Sequence, residues 1–403
     1  MISNKKMQKF GMRSLVAAMI VGGVFSAPAW ALDLSVYGVG HMSVDNIDTG
    51  AQTSTYIHSN SSRLGFRGDQ DLSNGLTAFF QFESGVDLTG NGGDDGNGGL
   101  ISQNQSGPMG GIFTEARDSY VGVKGDFGSV EMGRLPGLNQ WVYDYNLFAD
   151  QVGDLGNVWD VDGLPGRVNG AALYRTPDFN GFTLGLSYVP SQNTAFNNYT
   201  GGFTSDALSN IGNSYIAKAD YVNGGLKLGG AYADFGGAGI APDNVVGAIT
   251  GSYDFGAFNV GGGWQQETGV SGGIPGISGD RNSYTLGAAA KAGSNGTVKI
   301  QYAGSGNVSG TSNTSGQQWA AGYDYAWDKN TILYVAYAQT NNGSATASFN
   351  AYGFGHGNYG VPTSGTGFTP LGGDTSVISV GFIYKFDANL LHKSLSTSNI
   401  HDD

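Results

Sequence analysis

Near the end of the chain, Ile378-Ser379-Val380-Gly381-Phe382-Ile383-Tyr384-Lys385-Phe386 sets bulky apolar side chains at every even position against Ser379, Gly381 and Lys385. Successive side chains of an extended strand point to opposite faces, so the stretch reads as a strand with one greasy face. The same rhythm recurs along the chain. Phe182, Leu184, Leu186 and Tyr188 alternate with Thr183, Gly185 and Ser187, and Phe258, Val260 and Trp264 with Asn259, Gly261, Gly263 and Gln265. Trp319, Ala321, Tyr323, Tyr325 and Trp327 alternate with Gln318, Gly322 and Asp324, and Leu76 to Glu83 repeats the pattern. The second face carries glycines, amides, hydroxyls and charges, while aromatics gather near strand ends. A soluble sandwich also alternates; a lipid-facing outside with aromatic girdles around a wet inside has this particular split.

Composition supports that reading. Seventy glycines among 403 residues, with 21 Tyr, 21 Phe and only 13% charged residues, exclude an ordinary helical protein. The glycines have no period and come with abundant aromatics, which favours a turn-rich β protein over a disordered or fibrous one. Cysteine is absent, so neither disulfides nor thiolate metal sites are available. At the start, Lys5, Lys6, Lys9 and Arg13 precede the uncharged run Leu15–Phe25 and then Ala29-Trp30-Ala31. This is the pattern of a secretory leader over residues 1–31, and its apolar run is too short to span a bilayer as a helix. Removing its four cations leaves 15 basic against 32 acidic residues, a net charge of −17. That argues against nucleic acid or anionic lipid as a partner.

Seven short connections fall at Gln70–Asn74, Gly125–Gly128, Asp178–Asn180, Asn223–Gly225, Asp254–Gly256, Ala292–Gly296 and Asp328–Asn330, built from the residues tight hairpins want. Between them lie long Gly/Ser/Asn-rich segments such as Gly90–Gly111, Pro190–Ile211, Gly269–Asp280 and Asn341–Asp374. Seven short turns with both chain ends on one side imply eight hairpins. The fold class is therefore all-β: a sixteen-stranded antiparallel transmembrane barrel over residues 32–386, with a polar, disordered tail at 387–403. A barrel of that size encloses an aqueous channel.

The charges are placed unevenly. Arg63, Arg67, Arg117, Arg134, Arg167 and Arg175 crowd the first part of the mature chain, and only Arg281 follows. Parity puts Arg63 and Arg67 on one face, Arg117 with Ser119 opposite Tyr120, and Arg167 and Arg175 with Asn169 opposite Val168 and Ala172. Arg134 has the parity of Val130 and Met132 and is expected at a strand end or bulge. A lipid-facing arginine at mid-depth costs roughly 2–4 kcal/mol, so these side chains belong in the lumen. Between Arg134 and Arg167 runs a connection of unusual make-up, with Trp141, Tyr143, Tyr145, Leu147, Phe148 and Trp159 beside Asp144, Asp150, Asp154, Asp160 and Asp162. A solvated loop does not need that much apolar surface. Folding inward buries it and sets acids opposite arginines across a narrow gap, creating a transverse field.

Several segments together resemble the general bacterial porins. They are Ser62-Arg63-Leu64-Gly65-Phe66-Arg67-Gly68 with Leu72-Ser73-Asn74-Gly75-Leu76, Arg117-Asp118-Ser119-Tyr120-Val121 with Met132-Gly133-Arg134, and Tyr174-Arg175-Thr176-Pro177-Asp178. The resemblance implies a homotrimer of sixteen-stranded barrels, each constricted by its third loop. It implies contacts with outer-membrane lipid, lipopolysaccharide and the barrel-assembly machinery, and passage of small hydrophilic solutes. It maps the family's wall arginines onto Arg63, Arg117 and Arg167, and less directly onto Arg134 and Arg175. It maps the loop acids onto Asp150 and Asp154, a loop-holding glutamate onto Glu83, and the terminal aromatic assembly signal onto Phe386. The loop has Gly153-Asp154-Leu155-Gly156 where close relatives have Pro-Glu-Phe-Gly-Gly.

Other signals are weaker. His41, His58, His356, His392 and His401 show no metal-ligand or triad spacing, so surface or lumen placement suffices for them, and no catalytic motif, cofactor or metal site is expected. A passive pore with weak cation preference follows from the −17 charge and the acidic loop, although the wall arginines oppose that preference. A substrate-specific channel is the alternative, but neither an aromatic slide nor a lysine ladder is evident. Purified protein in a planar bilayer is expected to conduct and to close in threefold steps; absence of channels would overturn the reading.

Overall fold

The computed structural model describes residues 32–90, 113–137, 140–159, 166–190, 213–234, 245–270, 279–346, 349–358, 361–362, 366–367 and 369–391. The expected leader at 1–31, the glycine-rich run 92–99 and residues 392–403 lie outside them.

The strands are β1 (Leu32–Asp48), β2 (Thr53–Ser59), β3 (Arg63–Asp71), β4 (Thr77–Val86), β5 (Phe113–Ala116), β6 (Ser119–Gly125), β7 (Gly128–Pro136), β8 (Arg167–Arg175) and β9 (Phe182–Val189). They continue with β10 (Ser214–Asn223), β11 (Leu226–Asp234), β12 (Val245–Asp254), β13 (Phe258–Val270), β14 (Gly279–Ala292), β15 (Gly296–Ser305), β16 (Gly316–Ala326), β17 (Thr331–Asn342) and β18 (Thr375–Leu391). Each pairs antiparallel with its neighbours, and β18 closes the sheet onto β1. Two staves are broken in the middle: β2 and β3 both pair with β1, and β5 and β6 both pair with β4. Among the described residues, eighteen extended segments therefore form the sixteen staves that the turn count predicts.

The faces are the reverse of a soluble protein's. On β18, Ile378, Val380, Phe382 and Tyr384 are exposed, whereas Val377, Ser379 and Ile383 on the opposite face are buried. An outer surface this apolar belongs in hydrocarbon, where a closed sheet is stable because no backbone group is left unpaired. Aromatics cluster at the short-turn end, where Phe255 lies 4.5 Å from Tyr253 and 4.7 Å from Phe258 by ring centroids. All seven short connections fall between paired strands. The first connection on the opposite rim is also tight, with the Thr49 amide donating to the Gln52 carbonyl at 2.9 Å.

Three irregularities flank the arginines. At the break between β2 and β3, Ser61 adopts a left-handed φ of 44°. The Asn60 amide and the Ser62 hydroxyl donate to the His41 carbonyl at 2.9 and 3.1 Å, and the His41 amide donates to Ser62 Oγ at 2.9 Å. The break thus keeps its backbone groups satisfied while it re-aims Arg63. Arg117 and Asp118 fill the break between β5 and β6. Between β7 and β8 the register slips at Gly133/Leu135, opposite Gly170 at φ 60°, so Arg134 does sit beside a bulge.

These breaks correct two parity assignments. Beyond the β5–β6 break it is Val121 that is exposed, while the Tyr120 ring packs edge-on against Phe79, so Arg117 does not share one continuous face with Ser119. Beyond Gly170, Arg167 and Arg175 are no longer on one uninterrupted face, and Val168 is buried together with Leu135, Ala171 and Leu173. Alternation cannot be counted through an inserted residue.

The barrel also runs further than Phe386. Strand β18 continues to Leu391, setting Asp387 opposite Tyr37 and Asn389 opposite Ser35, whose hydroxyl donates to Asn389 Oδ1 at 2.6 Å. Asp387 takes the next inward position and pairs with Arg67. Phe386 lies on the outer face over Gly38, where a Cβ would come within 2.6 Å of its ring. Ending the chain after Phe386 removes this pairing, so that variant is expected to unfold at a temperature several degrees below one ending after Leu391. The check is heat-dependent migration on a gel; equal unfolding temperatures would show the extension to be idle.

Candidate functional site

The third loop begins where the Gly137 amide donates to the Gly166 carbonyl at 2.9 Å, a bond that draws the two ends together. It holds a 3₁₀ turn at Gln140–Tyr143 and a short helix at Gly156–Trp159. Trp141 is buried and donates Nε1–H to Gln265 Oε1 at 2.5 Å, and Tyr145 donates to Asn259 Oδ1 at 2.8 Å. Gln318 Nε2 donates to the Gly153 and Asp154 carbonyls at 2.9 and 3.0 Å, and Lys299 Nζ to Gln151 Oε1 at 2.7 Å. Phe148 and Val152 pack on Ala320, Ala336 and Ala338. The loop is thus inside the barrel, docked on the wall from β11 to β17. Burying Phe148 contributes about 1.5–3 kcal/mol, and Trp141 and Trp159 are buried as fully.

The docking wall is made of small residues for a steric reason. A Cβ on Gly261 would lie 2.6 Å from the Tyr145 ring, and one on Gly263 would lie 2.9 Å from Trp159. Glycine at these inward positions lets aromatic side chains of the loop rest on the strand backbone.

The opposite wall carries the arginines. Arg63, Arg117 and Arg167 meet loop residues Tyr143 and Asp150 around a space of about 380 Å³. Arg63 lies 3.5 Å from Asp150 Oδ2. Arg117 is held by Glu83, with Nε donating to Oε1 at 2.6 Å, and Tyr37 donates to the other carboxylate oxygen at 2.8 Å. Arg167 Nε donates to Asp118 Oδ1 at 2.7 Å. The other three of the six expected wall arginines lie elsewhere: Arg67 with Asp387, Arg134 with Asn169, and Arg175 3.3 Å from Glu131 toward the short-turn end.

Several expectations change here. Glu83 secures the wall arginine Arg117 and Tyr37 rather than the loop. Asp154 does not face the pore: it is fully buried and accepts from Asn146 Nδ2 and the Asp150 and Gly156 amides, each at 2.8 Å. It holds the loop's shape, leaving Asp150 as the loop acid facing the arginines among the described residues. Asp144 reaches the far wall, 3.0 Å from Lys218 Nζ and accepting from Thr250 Oγ1 at 2.7 Å. Asp160 and Asp162 lie outside the described residues.

Three features went unforeseen. Lys385 lines the same space and makes no ion pair among the described residues, although it stands in the lumen register of the stretch that reveals the barrel. The last loop also packs inward, with Phe349 and Ala351 fully buried and the Gly153 amide donating to the Ala351 carbonyl at 2.9 Å. Its Phe349, Tyr352 and Phe354 were the available clue, being more apolar surface than a solvated loop needs. Third, His41, His58 and His356 are buried rather than at the surface; His41 lines the constriction, within the lumen placement expected, while the last two converge on Asp45, which was not expected.

Burial, with the charge of Asp150 beside it, pushes the Asp154 carboxyl up to about 7. The docked loop therefore holds more protons than an undocked one between the ordinary value of 3.8 and about 7, and docking weakens as pH rises through that window. Open-channel noise is expected to grow from pH 5 to pH 8, and Asp154→Asn to flatten the difference. Equal noise at both pH values in the unaltered protein would contradict this.

A family model described as Gram-negative porin matches residues 14–345. The chain is 32% identical over 300 residues to outer membrane porin protein 32 of Delftia acidovorans, covering 71% of this chain and 76% of that one. Its fold resembles the solved structure of an anion-selective porin from Comamonas acidovorans at a TM-score of 0.62 and 24% identity, over 88% of this chain and 100% of the other. It also resembles OmpT of Vibrio cholerae in its trimer form at a TM-score of 0.57 and 15% identity, over 88% of this chain and 100% of that one.

Proposed function

Because the chain belongs to the Gram-negative porin family, an outer-membrane barrel that acts as a channel rather than an enzyme, we propose that it passes small hydrophilic solutes by diffusion with a weak preference for anions. The observation that carries the preference is the charge around the constriction. Among the described residues, Arg63, Arg117, Arg167 and Lys385 line it against Asp150 of the loop, and counting the paired Glu83 and Asp118 still leaves a positive excess there. This reverses the cation preference expected from net charge.

The net −17 is a poor guide because much of it sits far from the gap. Asp71, for example, lies at the far end of β3 from Arg63, roughly 26 Å along the strand. Fixed charges separated by more than about 10 Å are largely screened in 0.1 M salt, whereas those at the narrowest point meet every permeating ion. The relative described as anion-selective supports the same direction. A homotrimer is proposed on the strength of the trimeric neighbour.

Reversal potentials across a salt gradient in a planar bilayer test the reading. Chloride is expected to be favoured, and Lys385→Glu to move the potential toward cation preference. A cation-favouring wild-type channel would sink the proposal.

A further inference from the structure

Beneath the last loop, outside the constriction, Asp45 of β1, His58 of β2 and His356 of the loop come together with all three side chains buried. His58 Nδ1 lies 2.7 Å and His356 Nε2 3.4 Å from the same oxygen, Asp45 Oδ2. Ser43 donates its hydroxyl proton to that oxygen at 2.8 Å, and its Oγ lies 3.3 Å from His356 Nε2. One ligand atom from each of the three residues falls within a span of 4.8 Å. His41 stands apart, its Nε2 engaged with the Tyr334 hydroxyl at 2.9 Å.

We propose that Asp45, His58 and His356 bind a divalent first-row transition-metal ion, with Zn²⁺ as its representative, and that the ion staples the last loop to the barrel wall. Two imidazoles and a carboxylate are the donor set such ions favour over the all-oxygen sets of calcium or magnesium. Metal–ligand bonds of about 2.0–2.1 Å place tetrahedral donors roughly 3.3 Å apart, and the observed separations of 2.7 and 3.4 Å lie on either side of that value. Hydrogen bonding alone accounts for the cluster less well. It leaves Asp45 Oδ1 buried without a partner, and a carboxylate that chelates through both oxygens uses that atom. A divalent ion also compensates the charge of the buried Asp45 carboxylate.

The staple continues a seam already present. The Ser61 hydroxyl donates to the Gly355 carbonyl at 2.9 Å, and the Gly357 amide donates to Asn60 Oδ1 at 2.9 Å, one on each side of His356. Fixing His356 fixes the segment whose Phe354 amide donates to Asn157 of the third loop at 2.9 Å. The ion therefore ties the outer loop, through the third loop, to the constriction.

The test is calorimetric titration of ZnCl₂ into the untagged, refolded, chelator-stripped protein. One equivalent is expected to bind, with affinity falling more than tenfold in His58→Ala and in His356→Asn. A variant carrying His392→Ala and His401→Ala is expected to bind as the wild type does, which excludes the C-terminal histidines. Zn²⁺ is further expected to raise the unfolding temperature of the wild type and not of His356→Asn, with heat-dependent migration confirming that each variant folds. No binding by the wild type, or unchanged affinity in the folded His356→Asn variant, would overturn the proposal.

Discussion

In hydrocarbon a peptide group has no water to turn to, and an unpaired N–H or C=O costs several kcal/mol. A sheet placed there must have no edge, and the pairing of β18 with β1 from Ser35–Asn389 to Asp48–Ser376 removes the last one. Closure then divides every strand between two solvents, lipid outside and water inside. The outer face needs apolar bulk, hence Ile378, Val380 and Phe382. The inner face is free to be small, polar or charged, and the channel is built from that freedom.

One inner wall, from β11 to β17, is small and amide-bearing and accepts the third loop: Gly261 and Gly263 make room, while Gln265 and Gln318 satisfy the loop's Trp141 and its carbonyls. The other carries guanidinium groups whose directions are fixed by carboxylates behind them, Glu83 for Arg117 and Asp118 for Arg167. Those pairs aim the arginines more than they cancel them. Charge-assisted bonds of 2.6 and 2.7 Å hold each head group in one orientation, so the field across the gap is set before a solute arrives.

The barrel was legible because its evidence is local and repeated: period-two alternation survives any error at strand ends, and the seven turns mark themselves with Asp, Asn and Gly. The inward loop was legible from its surplus of Trp, Tyr and Phe. What failed was extrapolation across irregularities. Parity does not pass through Gly170 or the Arg117–Asp118 break, and a carboxylate's position in sequence does not say whether it faces water or amides, which separates Asp150 from Asp154. The meeting of His58 with His356 depends on a fold that joins residues nearly three hundred apart in sequence, so no local spacing announces it. The end of β18 was misplaced because Asp387–Leu391 pairs at the wet rim, where polar residues suit a strand as well as a tail.

With its anchors in place, the docked third loop is proposed to set the width of the channel. Single-channel conductance of a variant carrying Trp141→Ala and Gln318→Ala, which removes the aromatic anchor and the amide that holds the Gly153 and Asp154 carbonyls, tests it most directly. A larger, noisier conductance than that of the unaltered protein is expected. A folded variant with unchanged conductance would contradict it.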